Sequence, residues 1–274
     1  MSSVLELFDL HGRSALVTGG GSGLGLAYAE ALAEAGAAVT LAGTTLEKLE
    51  REALRLRALG WKARAWRLDI ADEGQVRAAF DAHAEAFGGL DAAFANAGIG
   101  VGHGYISPQG GRDPQGEIDR FDLTDWDRHM AVNLNGALYT IRHAARIMRA
   151  AGKPGSIVAT TSTASTINVP IVATAYMAAK AAVRHLVRNV ALELATYGIR
   201  VNAISPGAFV TNIGGGILQS PAVQEIWNRT VPMGKMGQPR QIKGLALYLA
   251  SDASNFMTGQ ELIIDGGVTL GLPP

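Results

Sequence analysis

The chain has 274 residues, 48% of them hydrophobic, and its 24 basic side chains balance its 24 acidic ones. This length suffices for a substantial core in one α/β domain. Proteins that bind nucleic acid or an anionic membrane usually carry a net positive charge, which this chain does not have. There is no cysteine, so disulfides, thiolate nucleophiles and cysteine-ligated zinc are excluded, and a small-molecule ligand is expected.

Short β-rich runs alternate with longer helical patterns along the chain, which is typical of βαβ units and a parallel sheet with helices on both faces. Strands are predicted at residues 14–18, 38–42, 62–68, 90–95, 157–161, 199–204 and 261–264. Helices are predicted at about residues 23–35, 46–59, 73–87, 124–150, 176–197 and 239–251, with a capping box from Thr124 to Asp127 opening the fourth. We therefore predict a single Rossmann-type, doubly wound domain of about seven parallel strands over residues 1–274.

Two segments interrupt this alternation. Residues 100–121 are rich in glycine, proline and acids, and we predict a long surface loop insertion there. Residues 208–235 include a mostly apolar stretch from Asn212 to Trp227, and we predict a substrate-binding flap there. The loop is long enough to rim a pocket, but its acids equally suit a solvated loop, and the flap residues equally suit simple packing.

The segment between the first predicted strand and its helix is rich in glycine. It reads Thr18-Gly19-Gly20-Gly21-Ser22-Gly23-Leu24-Gly25. A Cβ in such a turn would block the approach of a pyrophosphate to the backbone N–H groups, and a helix amino terminus favours an anion. Glycine clusters also serve ordinary turns, but the position between strand and helix favours nucleotide binding.

Tyr176 and Lys180 are four residues apart on a predicted helix, so both project from one face. A tyrosine with a pKa of about 10 needs a drop of roughly 3, about 4 kcal/mol, to act as a base near neutral pH. A unit charge about 4 Å away supplies about 4 kcal/mol at an effective dielectric near 20. The spacing also arises by chance on amphipathic helices, so the context decides its role.

Seven motifs that occur in order along the chain supply that context. They are T-G-x-x-x-G-x-G at Thr18 to Gly25, Asn96-Ala97-Gly98, V-N-x-x-G at Val132 to Gly136, Ser162, Y-x-x-x-K at Tyr176 and Lys180, P-G-x-x-x-T at Pro206, Gly207 and Thr211, and Asp265-Gly266-Gly267. In these motifs the chain resembles the short-chain dehydrogenase/reductase (SDR) family over nearly its whole length.

The resemblance implies a nicotinamide nucleotide as cofactor. The positions that it assigns to the nucleotide are Gly19, Gly21, Ser22, Gly23, Leu24, Gly25, Gly43, Thr44, Thr45, Asp69, Ile70, Asn96, Ala97, Gly98, Tyr176, Lys180, Pro206, Gly207, Phe209 and Thr211. Among them, Gly19 to Gly25 would cradle the pyrophosphate, Asp69 would accept from the adenine amino group, and Thr211 would help hold the carboxamide. Asp69 also suits a plain cap at a strand end.

The choice of nucleotide depends on the residues after the second strand. Relatives that prefer NAD place an acid there, whereas those that prefer NADP place Arg or Lys there or in the glycine turn. This chain has Gly43, Thr44 and Thr45 after the strand and Ser22 in the turn. Because no guanidinium is available to neutralise a 2′-phosphate, we predict NAD. The threonine hydroxyls are able to donate to either nucleotide, so NADP is not excluded.

The resemblance also implies the chemistry, a hydride transfer between the nicotinamide and a secondary alcohol or ketone. Tyr176 would be the general acid or base, Lys180 would lower the tyrosine pKa and hold the ribose, and Ser162 would polarise the substrate oxygen. Asn133 would break its helix locally and anchor a water. The apolar flap suggests a hydrophobic or aromatic substrate.

The position of the serine departs from the family pattern. The family's serine commonly precedes the tyrosine by thirteen residues, a position that Thr163 occupies here, whereas Ser162 precedes it by fourteen. Neighbouring strand positions face opposite ways, so one of the two points into the cleft. We predict Ser162, since it directly follows the strand.

A non-catalytic regulator that senses NAD(P) on the same fold is the alternative function. Such proteins typically lose the tyrosine or the lysine, and this chain keeps both. The acidic amino terminus does not suggest a secretory signal, no window resembles a membrane span, and the histidines show no metal-ligand spacing. We therefore expect a cytoplasmic protein without a metal, and the resemblance implies a homotetramer.

Overall fold

Seven parallel strands form one sheet in the computed structural model, which describes residues 3–100 and 102–271. The strands are β1 (Ser14–Thr18), β2 (Ala38–Gly43), β3 (Ala63–Arg67), β4 (Ala92–Ala95), β5 (Gly155–Thr160), β6 (Ile199–Pro206) and β7 (Glu261–Ile264). Their order across the sheet is β3-β2-β1-β4-β5-β6-β7, so the winding reverses between β1 and β4. Ligands of such sheets bind beyond the carboxyl ends of the strands at this reversal. The predicted Rossmann-type sheet is confirmed.

Eight α-helices connect or follow these strands within the described residues. They are α1 (Gly23–Glu34), α2 (Leu46–Ala58), α3 (Glu73–Phe87), α4 (Leu123–His129), α5 (Gly136–Ala151), α6 (Thr174–Leu194), α7 (Pro221–Asn228) and α8 (Lys243–Ala250). In the flap region, a 3₁₀ helix, Ile213–Gln219, precedes α7.

The sheet has a hydrophobic core on each face because its strands alternate their side chains between the two. In β1, Ala15 and Val17 pack with α1, α2 and α8, whereas Leu16 packs with α3, α5 and α6. All three side chains are fully buried. Two covered faces explain why the strands are apolar in continuous runs.

The long helix predicted at residues 124–150 differs from the structure at its start and in its interior. The helix begins at Leu123, because the Asp122 side chain caps it by accepting from the Thr124 backbone N–H at 2.8 Å. A π-helical stretch, Met130–Asn135, then separates α4 from α5. Such stretches are frequent at functional sites, and this one contains Asn133.

The helices predicted to end at residues 197 and 251 are also shorter as α-helices. α6 gives way to a 3₁₀ helix at Ala195–Tyr197, and the last predicted helix starts as a 3₁₀ helix at Pro239–Ile242 before α8. Val101, in the predicted loop 100–121, lies outside the described residues. Across residues 3–100 and 102–271, no helix is both long enough and apolar enough to cross a membrane.

Candidate active site

One cavity of about 750 Å³ opens at the carboxyl end of the sheet, beside the reversal of winding. The structure brings most of the sequence-predicted positions to its wall. These are Gly19, Ser22, Gly23, Leu24, Gly25, Asn96, Ala97, Gly98, Ser162, Tyr176, Lys180, Pro206, Gly207, Phe209 and Thr211. The other predicted positions, which do not line it, are Gly21, Gly43, Thr44, Thr45, Asp69, Ile70 and Asn133.

The turn between β1 and α1 depends on glycine at two positions. A Cβ on Gly25 would lie 2.2 Å from the Gly19 carbonyl oxygen. Any residue other than glycine at position 25 would therefore prevent α1 from lying this close to the turn. Gly19 itself has a φ of +69°, a left-handed conformation that favours glycine. The bare backbone at the start of α1 faces the cavity, and it fits a nucleotide pyrophosphate.

The Thr18 side chain joins this turn to the segment after β4. Its hydroxyl donates to the Phe94 carbonyl at 3.0 Å and accepts from the backbone N–H groups of Asn96 at 3.0 Å and Ala97 at 3.1 Å. The Asn96 amide in turn donates to the Thr18 carbonyl at 3.0 Å. The threonine of the first motif is therefore a structural link between two walls of the cavity.

Tyr176 lies on the first turn of α6 and is 6% exposed. Burial raises the pKa of its phenol above the ordinary value, and the neighbouring Ser162 hydroxyl acts in the opposite direction. Ser162 stands just beyond β5, where its Oγ accepts from the Ala164 backbone N–H at 3.2 Å. Tyr176 and Ser162 both line the cavity.

Lys180 is 5% exposed, and its Nζ donates to the Thr160 carbonyl at 2.9 Å. Its Nζ is 5.7 Å from the centre of the Tyr176 ring. Burial lowers the pKa of Lys180 from 10.5 to about 8. Burial is the larger influence on the Tyr176 phenol, and the lowering of its pKa by this lysine stays a prediction.

Asn133 lies behind the cavity rather than in it. Its Oδ1 accepts from the Ile99 backbone N–H at 3.0 Å, and a Cβ on Gly98 would lie 2.7 Å from the same oxygen. Asn133 is 1% exposed, and its Nδ2 has no hydrogen-bond partner among the described residues. The π-helical stretch therefore fixes the backbone after β4 through this side chain.

Ser162 and Thr163 both line the cavity, so the two candidates share a wall. Ser162 is half-buried and is the one whose hydroxyl acts on the Tyr176 phenol. Thr163 is 6% exposed and begins a short 3₁₀ helix. The choice of Ser162 over Thr163 stays a prediction.

The positions predicted for the adenosine end lie on loops beyond the cavity. The Asp69 carboxylate is exposed and accepts from the Ala71 backbone N–H at 2.9 Å, which is the strand-end cap considered from the sequence. Ile70 is buried and packs so closely on the start of α5 that a Cβ on Gly136 would lie 2.7 Å from it.

Three residues that sequence reasoning did not single out also belong to this region. The Thr160 carbonyl accepts from the Lys180 ammonium, and the Thr160 hydroxyl donates to the Asn96 Oδ1 at 3.2 Å. Ile106 lines the cavity from the inserted loop. Arg67 is exposed and is paired in register with Gly43 at the end of β2. Strand register and loop docking place them, and neither leaves a local signal in the sequence.

Comparison with known proteins identifies relatives over nearly the full chain. A family model described as enoyl-(acyl carrier protein) reductase matches residues 19–269. A sorbose reductase of Candida albicans is 35% identical over 269 residues, covering 98% of this chain and 91% of that protein.

Solved structures agree with the sequence relatives. A short-chain type dehydrogenase/reductase from Mycobacterium marinum superposes with a TM-score of 0.87 at 38% identity, covering 97% of this chain and 99% of that one. A gluconate 5-dehydrogenase from Burkholderia cenocepacia, in complex with NADP and tartrate, superposes with a TM-score of 0.86 at 37% identity, covering 98% and 100%.

Proposed function

Because this chain belongs to the short-chain dehydrogenase/reductase family, we propose that it transfers a hydride between a nicotinamide nucleotide and a secondary alcohol or ketone. The observation that carries the proposal is the meeting of Tyr176, Ser162 and Lys180 in one cavity with the glycine turn. A regulator that only senses the nucleotide has no need of this buried phenol, hydroxyl and ammonium together.

The nucleotide, when bound, supplies or accepts the hydride, and the chain must manage one proton and the substrate oxygen. Tyr176 gives its phenolic proton to the oxygen during carbonyl reduction and takes a proton back during alcohol oxidation. Ser162 donates to the same oxygen and stabilises the negative charge that develops there. With a pKa of about 8, Lys180 is mostly protonated at neutral pH and keeps a positive charge near the phenol.

The substrate half of the cavity favours a neutral, apolar molecule. Its apolar side chains come from the segment after Ser162, the inserted loop and the flap, and include Ile106, Val169, Ile171, Leu218, Ile226 and Trp227. Apart from Lys180, no charged side chain of the described residues lines the cavity. A sugar acid would find no fixed cation there besides the lysine, so we propose an alicyclic or aromatic substrate.

NAD is the nucleotide that the end of β2 supports, since Gly43, Thr44 and Thr45 carry no positive charge. One observation favours NADP as the second candidate. The exposed Arg67 is the register partner of Gly43, one strand spacing of about 4.8 Å away, and a guanidinium is well suited to a phosphate.

Absorbance at 340 nm tests the proposed activity. The protein is incubated with NADH or NADPH and a panel of neutral cyclic and aromatic ketones, with a keto sugar acid for comparison. We expect turnover of neutral ketones, and a loss of at least about 100-fold in kcat for Tyr176→Phe with nucleotide affinity unchanged. Tyr197→Phe, on an exposed tyrosine, is the control and should retain activity.

Two other results of this assay would change the proposal. Intact nucleotide binding without turnover across the whole panel would favour the sensor. A preference for NADPH that Arg67→Gln abolishes, while Lys62→Gln just before the start of β3 leaves it intact, would assign NADP instead of NAD.

A further inference from the structure

Residues 105–113 of the inserted loop fold into a small hairpin that docks on the wall of the cavity. Ile106 and Arg112 pair as an antiparallel bridge within it. The Ile106 backbone N–H also donates to the Pro170 carbonyl at 3.1 Å. Since residues 167–172 line the cavity themselves, this hairpin 105–113 continues the same wall.

Two glycines hold the hairpin close to that wall. A Cβ on Gly104 would lie 2.1 Å from the Pro170 carbonyl oxygen, and a Cβ on Gly116 would lie 2.0 Å from the Gly104 carbonyl oxygen. Both glycines are buried, so three backbone segments are stacked in direct contact. Backbone segments that leave no room for a Cβ between them cannot shift without losing their contacts. The loop is therefore packed against the cavity wall and is not a loosely solvated segment.

The first residues of the loop are fixed by a histidine beside the catalytic tyrosine. The ring of His129 contacts the Gly100 carbonyl through Nε2 at 2.8 Å and the Asp125 carbonyl through Nδ1 at 2.7 Å. The same ring packs edge-on against Tyr176, with 6.4 Å between the ring centres. The loop is thus joined to the catalytic region both at its start and at hairpin 105–113.

Ile106 is the side chain that this docking delivers to the cavity. It is half-buried and lines the same space as Val169 and Ile171. Ile118, in the same loop, is 75% exposed and does not line the cavity. One isoleucine of the loop therefore faces the ligand space, and the other serves as its natural comparison.

We propose that hairpin 105–113 is a fixed wall of the substrate pocket and that Ile106 sets the largest substituent that a substrate carries. This inference rests on the proposed reduction of ketones. A rigid wall residue discriminates by size, because a larger substrate gains contacts when the side chain is shortened and is excluded when it is enlarged. In an apolar pocket, differences of this kind change kcat/KM by about tenfold or more.

The test compares cyclohexanone with 4-phenylcyclohexanone as substrates of the wild type, Ile106→Ala, Ile106→Phe and Ile118→Ala. We expect Ile106→Ala to raise the ratio of kcat/KM for the bulky ketone over the small one at least about tenfold, and Ile106→Phe to lower it. Ile118→Ala should leave the ratio unchanged. Ile106→Val, a smaller change, should move the ratio in the direction of Ile106→Ala even if the alanine variant folds poorly.

A binding measurement separates failure of this inference from failure of the proposed function. Quenching of tryptophan fluorescence by 4-phenylcyclohexanone measures binding to the protein loaded with the oxidised nucleotide, which cannot reduce the ketone. Of the tryptophans in the described residues, Trp227 is the one that lines the cavity. Its dissociation constant should rise at least about tenfold in Ile106→Phe. Turnover and binding that are unchanged in all three Ile106 variants, or that respond equally to Ile118→Ala, would overturn the proposed wall. No turnover of any ketone would overturn the activity, and the quenching would still decide the role of Ile106.

Discussion

Lys180 is a buried cation next to a buried phenol, and this position has a cost for folding. Its ammonium donates to the Thr160 carbonyl. Among the described residues, no carboxylate contacts the ammonium to offset the cost of burying its charge. Burial lowers its pKa from 10.5 to about 8. At pH 7 both the folded and the unfolded chain hold the proton, so the drop corresponds to at most about 3 kcal/mol of unfavourable charge burial.

We expect Lys180→Met to stabilise the nucleotide-free protein while abolishing turnover. Between pH 8 and 10.5 the folded chain releases the proton and the unfolded chain keeps it, so the destabilisation by Lys180 fades as pH rises. The gain in the free energy of unfolding should therefore be up to about 3 kcal/mol at pH 7 and should shrink toward pH 10.5. Urea denaturation at several pH values measures it.

Lys153→Met is the matched control, because Lys153 is exposed. It should change neither stability nor activity appreciably. Two results would contradict this explanation. Lys180→Met would be less stable than the wild type at pH 7, or it would be more stable by the same amount at all pH values. Either result would show that the buried charge of Lys180 does not destabilise the folded protein.

Individual residues show where sequence reasoning succeeds at this scale. Tyr176 and Lys180 share a helix face, so their spacing alone brings them together, and the structure shows both in the cavity. The partner of Lys180 is Thr160, whose carbonyl comes from a different strand. Such a partner follows from packing of α6 on β5 and has no counterpart in the local pattern.

At the scale of elements, the junction of β1 and α1 depends on how closely the helix approaches its own turn. A Cβ on Gly25 would meet the Gly19 carbonyl at 2.2 Å and the Asn96 Nδ2 at 2.5 Å. A Cβ on Gly21 would meet only a side chain, the buried end of Leu49, at 3.1 Å. The two glycines belong to one motif, but their surroundings predict opposite sensitivities.

We expect Gly25→Ala to weaken nucleotide binding at least tenfold and to lower the free energy of unfolding by about 1–3 kcal/mol, as overpacking does. Gly21→Ala, the control in the same turn, should cost no more than about 0.5 kcal/mol and should bind nearly as the wild type does. Calorimetry with NAD and with NADP, together with urea denaturation, measures both. Equal behaviour of the two variants would contradict the role of the close helix approach.

The elements also show why the sequence predicts some boundaries and not others. Residues 73–87 match α3 because its cap at Asp72 and its Gly88 end are local signals. In the interrupted stretch Met130–Asn135, Asn133 contacts the distant Ile99 backbone. The local capping box at Thr124 gives no sign of this contact, and the break at Asn133 is implied by the family resemblance alone. Periodicity identifies a helix, whereas tertiary contacts decide where it deforms.

At the scale of the whole molecule, the sequence predicts the sheet because seven βα alternations admit few parallel arrangements. The features that the sequence does not indicate arise where distant segments meet. Arg67 comes beside Gly43 through the register of two strands, and Ile106 enters the cavity through docking of a loop. Both placements require the assembled fold, so the sequence indicates neither.

Assembly is the remaining prediction at this scale, and exposed apolar side chains support it. Leu192 on α6 is 80% exposed, Ile263 on the edge strand β7 is 43% exposed, and Phe256 is fully exposed. Large exposed apolar side chains on neighbouring elements are typical of contact surfaces between subunits. These positions fit the homotetramer that the family resemblance implies, and we predict that it uses α6 and the β7 edge.

Light scattering after size exclusion at micromolar concentration tests this assembly. The wild type should have about four times the 28.6 kDa of the chain, because a symmetric tetramer buries both the α6 surface and the β7 edge of every subunit. Leu192→Arg should lower the mass, since a desolvated guanidinium without a partner is costly in an apolar interface. Leu54→Arg changes a leucine that is 62% exposed on α2, outside the predicted contacts, and should leave the mass unchanged. A monomeric wild type, or an equal effect of both substitutions, would show that α6 is not a subunit contact.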